Sequence, residues 1–204
     1  MDYRRACKDS DYQQIEVLQN QNLLSQLTPE EAKAGFLLRA FSADDFRRMN
    51  ADLCVMLAWD QQERLAGYLC ANVLTEDSPF EFVRALYQQA KTVQYHGKRL
   101  TQYQVFIASP LCIDRPYRGT SLFFQLASAM LNSPQITSDY DLILTFVSVD
   151  NERSLNACRG LSFEPLEIFS IGSLRYWLLV DEINLKERRE LSITPHFSRF
   201  CRGE

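Results

Sequence analysis

The sequence has little glycine, seven residues in 204, and no low-complexity tract or internal repeat. With 46% apolar residues it has enough material for a sizeable core, and a long disordered region is not expected. Histidine is scarcer still. The two present, His96 and His196, have no neighbours at ligand spacing, so no structural or catalytic metal is expected. No apolar run is long enough to span a bilayer, and the opening "MDYRRACKDSDYQQ" lacks the apolar stretch of a secretory signal. None of the six cysteines, at 7, 54, 70, 112, 158 and 201, has a partner at zinc-knuckle or redox-motif spacing. They read as reduced thiols in a cytoplasmic protein. A formal net charge of −4 argues against nucleic acid as the main partner, and no membrane association is expected. Dinucleotide glycine fingerprints, P-loop lysines, hydrolase serine elbows and zinc-protease histidine pairs are all absent.

What is present is a regular alternation of elements. "YRRAC" at 3–7 reads as a first strand, followed by a helix from an Asp9 or Ser10 cap with Tyr12, Ile15 and Leu18 at helical spacing. Thr28, Pro29 and Glu31 form a capping box that starts a second helix, and a further helical piece begins at Ser42. Residues 53–60 and 63–74 read as a hairpin buried on both faces. Ser78, Pro79 and Glu81 read as another capping box, opening a helix with a Phe82, Leu86, Ala90 and Val93 stripe. Residues 103–113 form a strand broken by Pro110, which points to an edge, a bulge or a splayed end. A helix from Gly119, a buried strand at 140–149, a short helix after Asp150 and a hairpin over Gly172 complete the fold. The strand–helix–strand unit from 103 to 149 implies a parallel pair. The class is mixed α/β in one domain, residues 1–181. The tail, 182–204, reads as a solvated extension or a homodimer contact.

The informative stretch is "CIDRPYRGTSLF", 112–123. A helix that begins directly after a strand presents free N–H groups and the positive end of its dipole. Small residues there let a phosphate approach, and an arginine adds forked donors. An ordinary strand-to-helix turn with a solvated arginine would read the same way.

Two further features narrow the choice: the element order, and "VDNERSLNACRGLSF" about thirty residues later. Together they resemble the GNAT superfamily of acyl-CoA-dependent N-acyltransferases, as a bacterial branch. That family's fourth strand runs into Arg/Gln-x-x-Gly-x-Gly/Ala, which meets Arg118, Gly119, Thr120, Ser121, Leu122 and Phe123 here. A later family motif meets Asn151, Ser154 and the "LSF" of 161–163. Ser121, Phe123 and Ser162 depart from the family's small residues. The resemblance implies a sheet of about seven strands, with a splayed parallel central pair and helices on both faces. It implies an N-acetyltransferase that moves an acetyl group directly from acetyl-CoA to a primary amine of a small molecule or protein. Arg118 to Leu122 would hold the pyrophosphate. The backbone of Leu111, Cys112 and Ile113 would take the pantetheine arm and thioester, with Asn151 and Ser154 on the other side.

The family's proton-donating tyrosine corresponds to Cys158, the candidate acid. No carboxylate precedes Asp114 on strand 103–113, so the base stays open among water, Tyr103, Glu81 and His96. Phe36, Phe80, Tyr87 and Tyr95 are candidates for the acceptor wall, with core packing as the alternative for each. The rival to an enzyme is a non-catalytic acyl-CoA-binding or interaction module on the same fold.

Overall fold

The computed structural model describes residues 1–136 and 139–183. In chain order these form β1 (Asp2–Arg5), α1 (Asp9–Asn20), α2 (Pro29–Ala32), α3 (Ala43–Asp52), β2 (Cys54–Trp59) and β3 (Leu65–Val73). There follow α4 (Glu81–Ala90), β4 (Gln94–Tyr95), β5 (Lys98–Arg99), β6 (Val105–Ile113) and α5 (Leu122–Leu131). The remainder is β7 (Leu142–Ser148), α6 (Glu152–Arg159), β8 (Glu164–Ile171) and β9 (Leu174–Glu182). Seven strands make one sheet in the order β1-β2-β3-β6-β7-β9-β8. Only β6 and β7 pair in parallel, as the strand–helix–strand unit requires.

The sheet is covered on both faces, which explains why β2 and β3 carry apolar residues at nearly every position. Alternate side chains point to opposite layers. Leu57, Tyr68 and Ile107 pack with Ile15, Phe46 and Leu86 from α1, α3 and α4. Met56, Leu69 and Phe106 pack with Leu122, Leu126 and Leu155 from α5 and α6. The expected tail beyond residue 183 lies outside the described residues.

Two boundaries differ from the sequence reading. The capping boxes at Thr28 and Ser42 both form, with Glu31 and Asp45 closing them. The Ser78–Glu81 box does not. The Ser78 hydroxyl accepts from the Phe80 amide, α4 begins at Glu81, and the Glu81 carboxylate is drawn to Arg39 instead. The chain around Gly97 closes a small hairpin, β4–β5, that periodicity did not signal. Its two-residue turn has positive φ at both His96 (46°) and Gly97 (77°), as tight hairpins with strand-matching twist require.

One buried charge organises the N-terminal segment. Asp11, 1% exposed, accepts two 2.7 Å bonds from the Arg4 guanidinium and the amides of Cys7 and Lys8. These donors outweigh burial and hold its carboxyl below the usual carboxylate range. A depressed carboxylate stabilises the fold above its unfolded value, and that contribution disappears as pH falls below about 4. Asp11→Ala should therefore cost about 3 kcal/mol in urea unfolding at pH 7, because it removes the acceptor shared by the Arg4 guanidinium and the Cys7 and Lys8 amides. The loss should shrink as pH falls from about 4 through the lowered folded value, where the wild type becomes protonated too.

Candidate acyl-donor site

β6 and β7 pair only at Val105–Leu142, Phe106–Ile143 and Ile107–Leu144. At the next position the Thr145 hydroxyl donates to the Ala108 carbonyl at 2.8 Å, standing in for a ladder bond. Beyond it β6 bulges. Ala108 pairs with Ala71 and Leu111 with Leu69, so Ser109 and Pro110 together oppose Cys70. Proline has no amide to offer a neighbour, and the Asn72 amide holds the bulge by donating to Ser109 O at 2.6 Å. From here β6 follows β3, while β7 stays with β9 as far as Ser148–Tyr176. The two central strands therefore diverge at Pro110, which resolves the alternatives left by the sequence: it is both a bulge and the start of the splay.

The amides past the bulge alternate in direction. Asp114 N–H donates to Ala66 O, so the Cys112 amide also faces β3, and those of Leu111 and Ile113 face the gap. This corrects the expectation for Cys112. Its amide belongs to the sheet and its thiol is buried in the core, where burial pushes it up to about 12. Leu111 remains as the donor with the clearest view of the opening. The Ile113 carbonyl beside it is taken by Arg118 at 2.9 Å.

The chain then makes a short 3-10 turn, Arg115–Tyr117, passes Gly119 at φ 76°, and enters α5 with Ser121 as its cap residue. The Thr120 hydroxyl donates to Tyr117 O at 2.6 Å and accepts from Leu122 N. Leu122, also expected to bind cofactor, thus has an occupied amide and a side chain 2% exposed in the core. The amides of Gly119, Thr120, Ser121, Phe123 and Phe124 find no acceptor among the described residues. Unbonded amides at the positive end of a ten-residue helix are suited to an anion. Phe123 stands where the family has a small residue. Its half-buried ring packs against the core on the α5 face, which leaves its amide free.

Arg118 departs from its expected role. Its guanidinium is spent inside the protein: Nε on Ile113 O, one terminal nitrogen on Ala34 O (2.9 Å) and Gly35 O (3.2 Å), the other on Asn22 Oδ1 (2.5 Å). Asn151 is occupied as well. Its Oδ1 caps α6 at the Ser154 amide, and its Nδ2 donates to Phe36 O at 3.1 Å. Gly35 lies between these anchors, where an added Cβ would come within 3.9 Å of Asn151 Oδ1 and Ser154 Oγ. Arg118 and Asn151 therefore strap the 34–36 segment across the open end of the splay. They shape the site through that segment, and neither points a free polar group at a ligand.

The cation that does face the anion site was missed in the sequence. Arg153, exposed on the first turn of α6, has no ion pair or hydrogen bond among the described residues. Its Nη2 lies 3.3 Å from where a Cβ on Gly119 would sit. A signal was available: a cation in the first turn opposes the helix dipole, so its presence two residues after Asn151 asks for a reason.

A cavity of about 340 Å³ runs through the splay. On the α5–α6 side Phe123, Ala127, Cys158 and Phe163 line it; on the other side lie Phe36, Arg39, Phe41, Phe82, Phe146 and Tyr176. Cys158 is in place but 5% exposed, and burial pushes its thiol up to about 12. Transfer of its proton to a departing thiolate would run uphill, since an ordinary cysteine thiol titrates near 8.5. The candidate acid is thus better described as a small apolar wall residue. Among the other candidates, His96 lies on the β4–β5 turn beside Glu182, and Tyr103 donates to Tyr95 O. Neither lines this cavity. Phe36 does line it, whereas Phe80 stacks on Phe82 in the core. Tyr87 belongs to a second pocket, and Tyr95 packs against His96 and Tyr103. No cluster of three metal-binding side chains occurs among the described residues, and none of their helices is long and apolar enough to cross a membrane.

No family model and no curated protein matches the sequence. Solved structures do match the fold. NAA60 of Arabidopsis thaliana, in complex with acetyl-CoA, superposes with a TM-score of 0.61 at 15% identity over 89% of this chain and 98% of its own. A ribosomal-protein-alanine N-acetyltransferase from Brucella melitensis gives 0.57 at 14% identity over 90% and 100%. A GNAT superfamily phosphinothricin acetyltransferase from Sinorhizobium meliloti, in complex with acetyl-CoA, gives 0.55 at 14% over 88% and 86%. The chain has the GNAT fold.

Proposed function

We propose that this protein is an acetyl-CoA-dependent N-acetyltransferase that passes the acetyl group directly to a primary amine of a small molecule or protein. One observation carries the reading. The unbonded amides of Gly119, Thr120, Ser121, Phe123 and Phe124 stand at one end of a splay whose other end opens, past the Leu111 amide, into a cavity. When bound, acetyl-CoA supplies a thioester carbon ready for attack by an amine. The residues present fit it. The Gly119, Thr120, Ser121, Phe123 and Phe124 amides and the Ser121 hydroxyl would hold the diphosphate, with Arg153 neutralising its charge. The Leu111 amide would donate to the thioester oxygen as charge gathers there, and the 34–36 segment would limit access of water.

A non-catalytic acyl-CoA-binding module has one observation in its favour, the unsuitability of Cys158 as a proton donor. Calorimetric titration with acetyl-CoA, followed by thiol release over an amine panel, separates the two: binding with turnover supports the enzyme, binding without it the module, and no binding sinks both. Arg153→Ala should weaken acetyl-CoA binding about tenfold, the scale of one charged hydrogen bond partly screened by solvent. The melting temperature should not change, because Arg153 has no partner to lose among the described residues.

A further inference from the structure

The far side of the cavity is built of rings in contact. Phe41 meets Phe82 edge-on with centroids 5.8 Å apart, Phe82 meets Phe146 at 5.7 Å, and Phe146 meets Tyr176 edge-on at 5.3 Å. Phe36, half-buried on the strapped segment, lines the same space without a ring partner. Arg39 carries the charge on this wall. It is tied to the Glu81 carboxylate and reaches the Tyr176 hydroxyl, so it is fixed in place by α4 and β9. The Glu81 carboxylate lies outside the lining.

Resting on the acyl-transfer reading above, we infer that the acceptor is a primary amine carried on a small, flat, apolar group. Three features converge on this. Ring faces and edges offer favourable contact to a flat apolar body, and the Arg39 guanidinium on the same wall repels a second ammonium. The cavity of about 340 Å³ must also admit the thioester end, which leaves room for one compact group. Asp181 also lines the cavity, but from the face of β9 opposite Tyr176. The ring wall itself carries no carboxylate and prepares the amine in another way. An amine among these rings loses hydration and faces a guanidinium, and both effects favour its neutral, nucleophilic form. Its lone pair then forms the N–C bond to the acyl carbon as the C–S bond breaks. The amine's surplus proton ends on the departing sulfur, giving an amide and a free thiol. The same chemistry could reside in a free arylalkylamine or in a peptide with an aromatic first residue.

The test is thiol release at saturating acetyl-CoA with phenylethylamine, a phenylalanine-initiated peptide, butylamine and putrescine. At least one aromatic amine should exceed putrescine in kcat/KM by about tenfold or more, and which one leads identifies the source. Equal or better use of putrescine overturns the inference while acyl transfer stands. So does failure of every amine when acetyl-CoA binds by calorimetry. Absence of acetyl-CoA binding overturns the underlying reading instead. Phe36→Ser, at a ring with no packing partner ring, should raise KM for the aromatic amine more than for butylamine; equal effects on the two would contradict the assignment.

Discussion

Ser121→Asp is expected to weaken acetyl-CoA binding by about 100-fold or more while leaving the melting temperature unchanged or slightly raised. The two effects have opposite signs because they come from different properties of one position. Ser121 caps α5 and makes no side-chain cap bond, whereas aspartate is among the best caps and interacts favourably with the dipole, for about 0.5 kcal/mol. The same carboxylate would lie among the amides proposed to grip the diphosphate. Two unit charges about 5 Å apart near a protein surface repel by about 3 kcal/mol, more than a 100-fold change requires. Calorimetry and a thermal melt on the same sample read both signs. A variant that loses stability and affinity together would point to misfolding, and one that binds normally would show that the ligand sits elsewhere.

Arg118→Ala should be the most damaging single change in the loop system, lowering stability by about 3 kcal/mol or more. It abandons the carbonyls of Ile113, Ala34 and Gly35 and the Asn22 amide oxygen, and an unsatisfied buried acceptor costs about 1–3 kcal/mol. Arg118→Lys should recover little, since one ammonium cannot reproduce a planar fork that reaches separate partners. KM for the amine should rise along with the loss of stability, because the 34–36 segment borders the acceptor space. If Arg118 were a phosphate ligand, the variant would keep its melting temperature and lose acetyl-CoA affinity alone. Urea unfolding beside amine-dependent kinetics distinguishes the two roles.

The layers of the fold were legible because their signals are local. The capping box at Thr28 involves residues three apart, and strands buried on both faces are apolar at nearly every position. Where a distant group intervened, local reading failed: Glu81 left its expected cap because Arg39, 42 residues away in sequence, binds it more strongly than a backbone amide. The donor site shows the same division. The baring of the Gly119, Thr120 and Ser121 amides follows from the local turn and was readable, whereas Leu122 proved occupied and the amides of Phe123 and Phe124 were not singled out. The work of Arg118 was not, since two of its partners are 83 and 84 residues away. Cys158 occupied its expected position on α6, but its depth in the core depends on packing from α5 and the sheet, which no spacing within the helix encodes. Arg153 matters only through its closeness to Gly119, a contact between two separate turns.

The central claim is that the main-chain amides of Leu111, Gly119, Thr120, Ser121, Phe123 and Phe124 grip the acyl donor. Amide chemical shifts followed during titration with acetyl-CoA test it most directly. The largest changes are predicted at Gly119, Thr120, Ser121, Phe123 and Phe124, with Leu111 moving when the acetyl thioester is present and less so with CoA alone. Unmoved signals at these positions, or larger changes on another face of the sheet, would contradict it.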